Sequence, residues 1–314
     1  MTSFIDFYKN NKTKDWDYYY LSRNSQLTLD YINELHRVYT HPLSSNPNIT
    51  MDYVLQNKGM NWSMYDLSSN PAITIDDVLM YPTEINWDYD GLSRNPNITL
   101  DIIKRHPNIN WSMTNFSSNP NITMDMYINI RTEYNTTYKG IFKKYTGSNS
   151  DIFAISSNPS ITYNDVLKYP DEQWYTICVS QNPSFSLENV LDLIEKKMLK
   201  HNPQIFDVCI SNLSGSLGVE WDDIISHPEI AWDWDYVSCN PNITWDIIQD
   251  NPDIMWYNHT VSANPNITWD IVQDYPCGPQ NNSVYKNKYW NYNRLSDNQM
   301  NYNKQKNVYD YILK

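Results

Sequence analysis

Six histidines, several carboxylate pairs, a recurring serine and four cysteines are the side chains in this chain that could do chemistry. Acid–base catalysis needs two carboxylates in unequal surroundings, for which Asp76-Asp77, Asp222-Asp223 and Asp233 with Asp235 offer themselves. A nucleophile needs a hydroxyl beside a base, and Ser68, Ser93, Ser117 and Ser238 supply hydroxyls. All of these residues sit at places that recur along the chain, whereas an active site is built from singular ones. His106 and His227 share one such place, where Tyr81, Tyr169 and Asn251 stand in other copies. His259 has no second ligand near it in sequence. Cys178, Cys209, Cys239 and Cys277 are 30 to 38 residues apart, with no C-x-x-C pair. Seven glycines form no phosphate-binding loop. The expectation is a protein that is not an enzyme and holds neither metal nor cofactor.

The recurrence itself is the stronger signal. Asn-Pro pairs begin at Asn46, Asn70, Asn95, Asn119, Asn158, Asn182, Asn240 and Asn264, mostly 24 residues apart. Degenerate copies centred on Asn24, Ser216 and Asn298 bring the number of units to eleven. Self-similarity at this period predicts a solenoid. With each anchor numbered zero, Trp stands at −8 in eight units, an aliphatic or Phe at −3 and Ser at −2. The stretch from −8 to −2 predicts a short helix capped by Asn at −9 (Asn61, Asn86, Asn110) and ended by the Asn-Pro turn. Thr at +4, Asp at +6 and a staple such as Ile98 with Ile103 predict a second helix, which Pro at +12 stops. The fold class expected is an all-α solenoid of about eleven helix-turn-helix repeats. A leucine-rich-repeat-like α/β solenoid is the alternative, disfavoured because Asp90 and Asn97 stand where that pattern needs leucines. Stacked at about 10 Å per layer, the units would run to roughly 100 Å. Residues 1–14 are expected to cap one end, 15–298 to form the solenoid, and 299–314 to form a helical cap at the other.

Composition bounds the function. A net charge of −13 opposes wholesale binding to nucleic acid or anionic membranes. No apolar run approaches a membrane span, and MTSFIDFYKNNKTKD holds no apolar stretch of signal-peptide length. All 12 tryptophans fall on repeat positions, so they are expected in the core before a ligand platform.

The units LSSNPNITMDYVL, LSRNPNITLDIIKRHPNINW and VSCNPNITWDIIQDNPDIMW resemble tandem repeats in uncharacterised proteins of mimivirus-type giant viruses. The richness in Asn, Tyr, Ile and Lys is similar to the composition of such chains. This resemblance covers about 15 to 300, implies work in the host cytoplasm or the virion, and brings no catalytic motif with it.

Three insertions, at 128–150, 192–207 and 277–289, interrupt the period at one kind of connection, between a second helix and the next first helix. They carry Arg131, Lys139, Lys143 and Lys144, then Lys196, Lys197 and Lys200, then Lys286 and Lys288. These residues are the candidate partner-binding edge. The function expected is a non-enzymatic scaffold that binds a host or viral protein through the solenoid surface or this edge. RNA recognition by helical repeats and a structural role in a virion are the alternatives.

Overall fold

The computed structural model describes residues 4–32, 35, 38–144, 149–199, 206–279 and 290–298. The fold is an all-α repeat solenoid. Each anchor sits between a first helix, such as Tyr89–Arg94, and a second helix, such as Leu100–Arg105. The units are numbered here 1 to 11 in chain order, from Asn24 to Asn298. One short parallel pairing, Trp111–Ser112 with Phe142–Lys144, is the only strand pair among the described residues.

The second helices begin where the sequence places them. Thr50, Thr99, Thr123, Thr244 and Thr268 each accept a backbone N–H from the first turn with the side-chain hydroxyl. The first helices begin two residues later than expected. Their caps are Asp17, Ser63, Asp88, Ser112 and Asn291 at −7, not the asparagines at −9. The reason lies in the Trp at −8, which stays outside the helix to reach backward. Its indole N–H donates to the carbonyl that ends the preceding second helix, as Trp62 does to Asn57 (3.0 Å) and Trp111 to His106 (2.8 Å). That bond, and burial of the ring, account for the recurrence of Trp.

The anchor asparagine does more than turn the chain. Nδ2 of Asn95 donates to the carbonyls of Ser68 (2.9 Å), Asn70 (2.8 Å) and Ile73 (3.1 Å) in the unit before, while its Oδ1 accepts the N–H of Asn97 (2.8 Å). Fully buried and fully bonded, it stitches unit to unit. Ser at −2 forms a second ladder. Ser93 donates to its own Tyr89 carbonyl (2.7 Å) and accepts the N–H of Ser112 from the next unit (2.9 Å).

Both ladders run past the last unit and return to the first. Nδ2 of Asn24 donates to the carbonyls of Ser296 (3.0 Å) and Asn298 (3.1 Å). Ser296 Oγ accepts the N–H of Asp17 (2.9 Å), and Arg23 makes a two-pronged pair with Asp297. The solenoid is therefore a closed ring, not the open stack that the repeat count suggested. First helices pack directly on one another, Met64–Ser69 on Tyr89–Arg94 most closely, whereas no two second helices come as near among the described residues. Two rows of unequal spacing bend toward the tighter one, so the first helices line the inside. Indoles widen the outer row: Trp256 lies 6.0 Å from Trp221 and Trp290 5.8 Å from Trp245, each reaching into a neighbouring second helix. Small Ser and Asn side chains let the inner row close up, giving about 33° of turn per unit. Eleven inner helices at about 8–10 Å make a circle about 30 Å across between axes, with an opening on the order of 20 Å.

The helix Phe4–Asn10 does not cap an open end; it stands as the second helix of unit 11. Tyr8 is buried as Val54 and Ile103 are at +8. Asn11 Nδ2 donates to the Phe7 carbonyl (2.9 Å), as Asn57 does to Tyr53 (2.8 Å) and Asn251 to Ile247 (2.8 Å). Trp16 completes the match by donating to the Asn11 carbonyl (2.9 Å). The expected cap at 299–314 lies outside the described residues.

Candidate functional site

The inserted edge is partly spent on the ring itself. Of the first insertion, residues up to Thr132 lengthen the second helix of unit 5, a single π-helical turn follows at Tyr134–Tyr138, and Phe142 is fully buried. Its ring lies 5.7 Å from Phe116 and 6.2 Å from Tyr138. Unit 6 has Ser150 where the tryptophan normally stands, so this insertion supplies the missing aromatic bulk. Leu199 of the second insertion is likewise buried, beside a unit with Val208 at the tryptophan place. The third leaves the register intact, because Trp290 still reaches the Tyr275 carbonyl (2.7 Å) across 15 residues.

The cations of this edge divide in the same way. Nη1 and Nη2 of Arg131 donate to the Glu172 carboxylate (2.6 and 2.5 Å), a pairing that raises the guanidinium pKa further. Lys196 binds Asp192 (2.6 Å), and this bond, the largest cause, draws the exposed carboxyl's pKa down. Lys139 and Lys197 are exposed, the latter with a left-handed backbone (φ 55°). Lys143 and Lys144 lie on the short strand. Lys200, Lys286 and Lys288 lie outside the described residues.

The inner wall is the other surface. Positions −5 and −4 of the first helices vary from unit to unit, and four of them present aromatic rings to solvent: Tyr19 (42% exposed), Tyr65 (37%), Phe153 (47%) and Tyr236 (47%). The indole row at −8 is buried, whereas these four rings, all at −5 or −4, stand in solvent. Around them stand Asn115, Asn212, Ser69 and Ser118. None of the eleven first helices contains a lysine. Imidazole and carboxylate meet across units at two places: His41 Nδ1 is 3.7 Å from Asp66, and His259 Nε2 is 3.1 Å from Asp235, which also accepts the Thr260 hydroxyl (3.0 Å). Tyrosine, serine and asparagine on a stiff frame are the composition of antibody-type contact surfaces, where few rotatable bonds are frozen on binding.

The residues weighed for chemistry have structural employment. Asp76 and Asp222 lie in helix first turns, while Asp77 and Asp223 close capping boxes. His106 and His227 are helix C-caps whose carbonyls receive Trp111 and Trp232. Burial pushes the Cys178 thiol up to about 12, with Cys209 adding to it. No group of three metal-type ligands exists among the described residues, nor any helix long and apolar enough to cross a membrane. The ladders and the inner-wall aromatics escaped the sequence reading. Their signal was there: an amide, never a carboxylate, at the anchors before Pro, and a ring at −5 or −4, where most units carry a polar or small residue.

Comparison of the chain with protein-family models, curated proteins and solved structures gave no match.

Proposed function

We propose that this protein is a non-enzymatic binding scaffold for another protein, host or viral, working in the host cytoplasm or the virion. The supporting observation is the set of exposed aromatics on the inner wall, carried by first helices that the asparagine and serine ladders join, a frame that leaves little to be ordered on binding. Tyrosine and phenylalanine on such a frame make anchors of the hot-spot kind. RNA is the weaker partner, since the first helices hold no lysine and three arginines, Arg23, Arg94 and Arg294, the first of them held by Asp297.

Affinity capture from host lysate, with and without nuclease, tests this reading. Wild type is compared with a wall variant (Tyr19→Ser, Tyr65→Ser, Phe153→Ser and Tyr236→Ser together) and an edge variant (Lys139→Glu with Lys197→Glu). The expected result is a nuclease-resistant protein retained by the edge variant and lost by the wall variant. Retention by the wall variant, or loss on nuclease treatment, would overturn it.

A further inference from the structure

The ring is closed without a covalent bond, and its closing piece stands at the very start of the chain. Helix Phe4–Asn10 buries Phe4, Ile5, Phe7 and Tyr8. The Phe7 ring stacks on Trp269 of unit 10 at 4.7 Å and 23°, and Phe4 lies 5.5 Å from the same indole. Trp16 closes over them, 6.1 Å from Trp269 and 5.2 Å from Tyr292. Residues 11–15 join this helix to unit 1.

The inner-row closure does not depend on that helix. Asn24, Ser296 and the Arg23–Asp297 pair join units 1 and 11 by themselves. The helix can thus leave its seat while the ladder stays shut. Residues 12–15 are exposed and, with residue 11, reach about 17 Å when extended. The vacated seat, floored by Trp269 and flanked by Trp16 and Tyr292, is shaped for one kind of occupant: a short helix with the Phe-Ile-x-Phe-Tyr face.

The geometry points to exchange of this helix between two copies of the chain. Each copy seats its Phe4–Asn10 helix in unit 11 of the other, giving a two-fold dimer in which the helix remakes its aromatic contacts and residues 11–15 are redirected. A short tether holds the helix at its own seat at an effective concentration in the millimolar range, so the single ring dominates in dilute solution. Exchange grows as protein concentration approaches that range.

Full-length protein in light and isotopically heavy forms is mixed at high concentration, diluted, and weighed by native mass spectrometry. Dimers containing one light and one heavy chain are expected for wild type. Phe7→Asp alone, which cannot be seated, and Trp269→Ala alone, which cannot seat, are each expected to lose most of the dimer. Mixed together they are expected to recover it, because the first still seats a helix and the second still supplies one. Circular dichroism confirms that each variant is folded. Absence of dimer in wild type, or undiminished dimer in Phe7→Asp, would overturn the proposal; the wild-type arm decides it even if a variant fails to fold.

Discussion

The asparagine at ten of the eleven anchors bonds one unit to the unit before it. Asn95→Ala would leave the buried carbonyls of Ser68, Asn70 and Ile73 without their donor, at a cost of about 3 kcal/mol, read from urea unfolding. Unit 8 shows what happens when the anchor is lost. Ser216 replaces the asparagine, Gly218 stands where five other units have a second asparagine, and the backbones meet directly through Leu187 N–H to the Gly218 carbonyl (3.2 Å). A Cβ on Gly218 would come within 1.8 Å of the Phe185 carbonyl oxygen. Gly218→Asn, although it restores the repeat pattern, is therefore expected to destabilise or prevent folding, seen as loss of the cooperative thermal transition. Asp151 gives the opposite sign. Its carboxyl is buried, accepts the Thr114 hydroxyl (2.6 Å) with one oxygen, and leaves the other without a partner among the described residues. Burial raises its pKa above the unfolded value, so ionisation costs the folded state stability once the pH exceeds about 3.9. Asp151→Asn is expected to stabilise at pH 7 by about 1 kcal/mol, and that gain should fade below about pH 4.

At the scale of elements, the second helices were legible because their start signals are local: a Thr hydroxyl and an N–H three residues on suffice. The first helices were legible in existence but not in boundary. Trp at −8 looks like an apolar helix position until its indole is seen bonding to another unit, a partner that no local pattern names. The insertions were misleading in charge. Lysines and an arginine suggested a free basic edge, yet Arg131 is held by Glu172, 41 residues away, and Phe142 fills the core. Phe142→Ala is accordingly expected to cost about 3–5 kcal/mol, whereas Lys139→Ala in the same insertion should stay within about 0.5 kcal/mol. Equal effects in chemical denaturation would mean that the insertion is merely a tolerated loop.

For the whole molecule the closed ring makes a dimensional prediction. An inner circle about 30 Å across, one further layer of helices and their side chains give a largest dimension of about 60–70 Å, against roughly 100 Å for an open stack. Small-angle scattering measures this directly, and a distance distribution running on to 100 Å would show the ring open in solution. The wall is legible only at this scale. Tyr19, Tyr65, Phe153 and Tyr236 lie in four different units, 46 to 88 residues apart where consecutive, and only curvature turns them toward a common lumen.

Sequence alone determined the unit: its period, its two helices, its turn and the burial of its tryptophans. These follow from capping, proline geometry and amphipathic spacing, all of which act within a few residues. Tertiary structure alone decided that the stack bends, that it closes, and that its first helix completes its last unit. Curvature is a small difference in spacing between an inner row packed through serine and asparagine and an outer row wedged apart by indoles. No single unit displays that difference. It becomes a shape only when summed over eleven junctions, where a few degrees per unit separate a ring from a spiral.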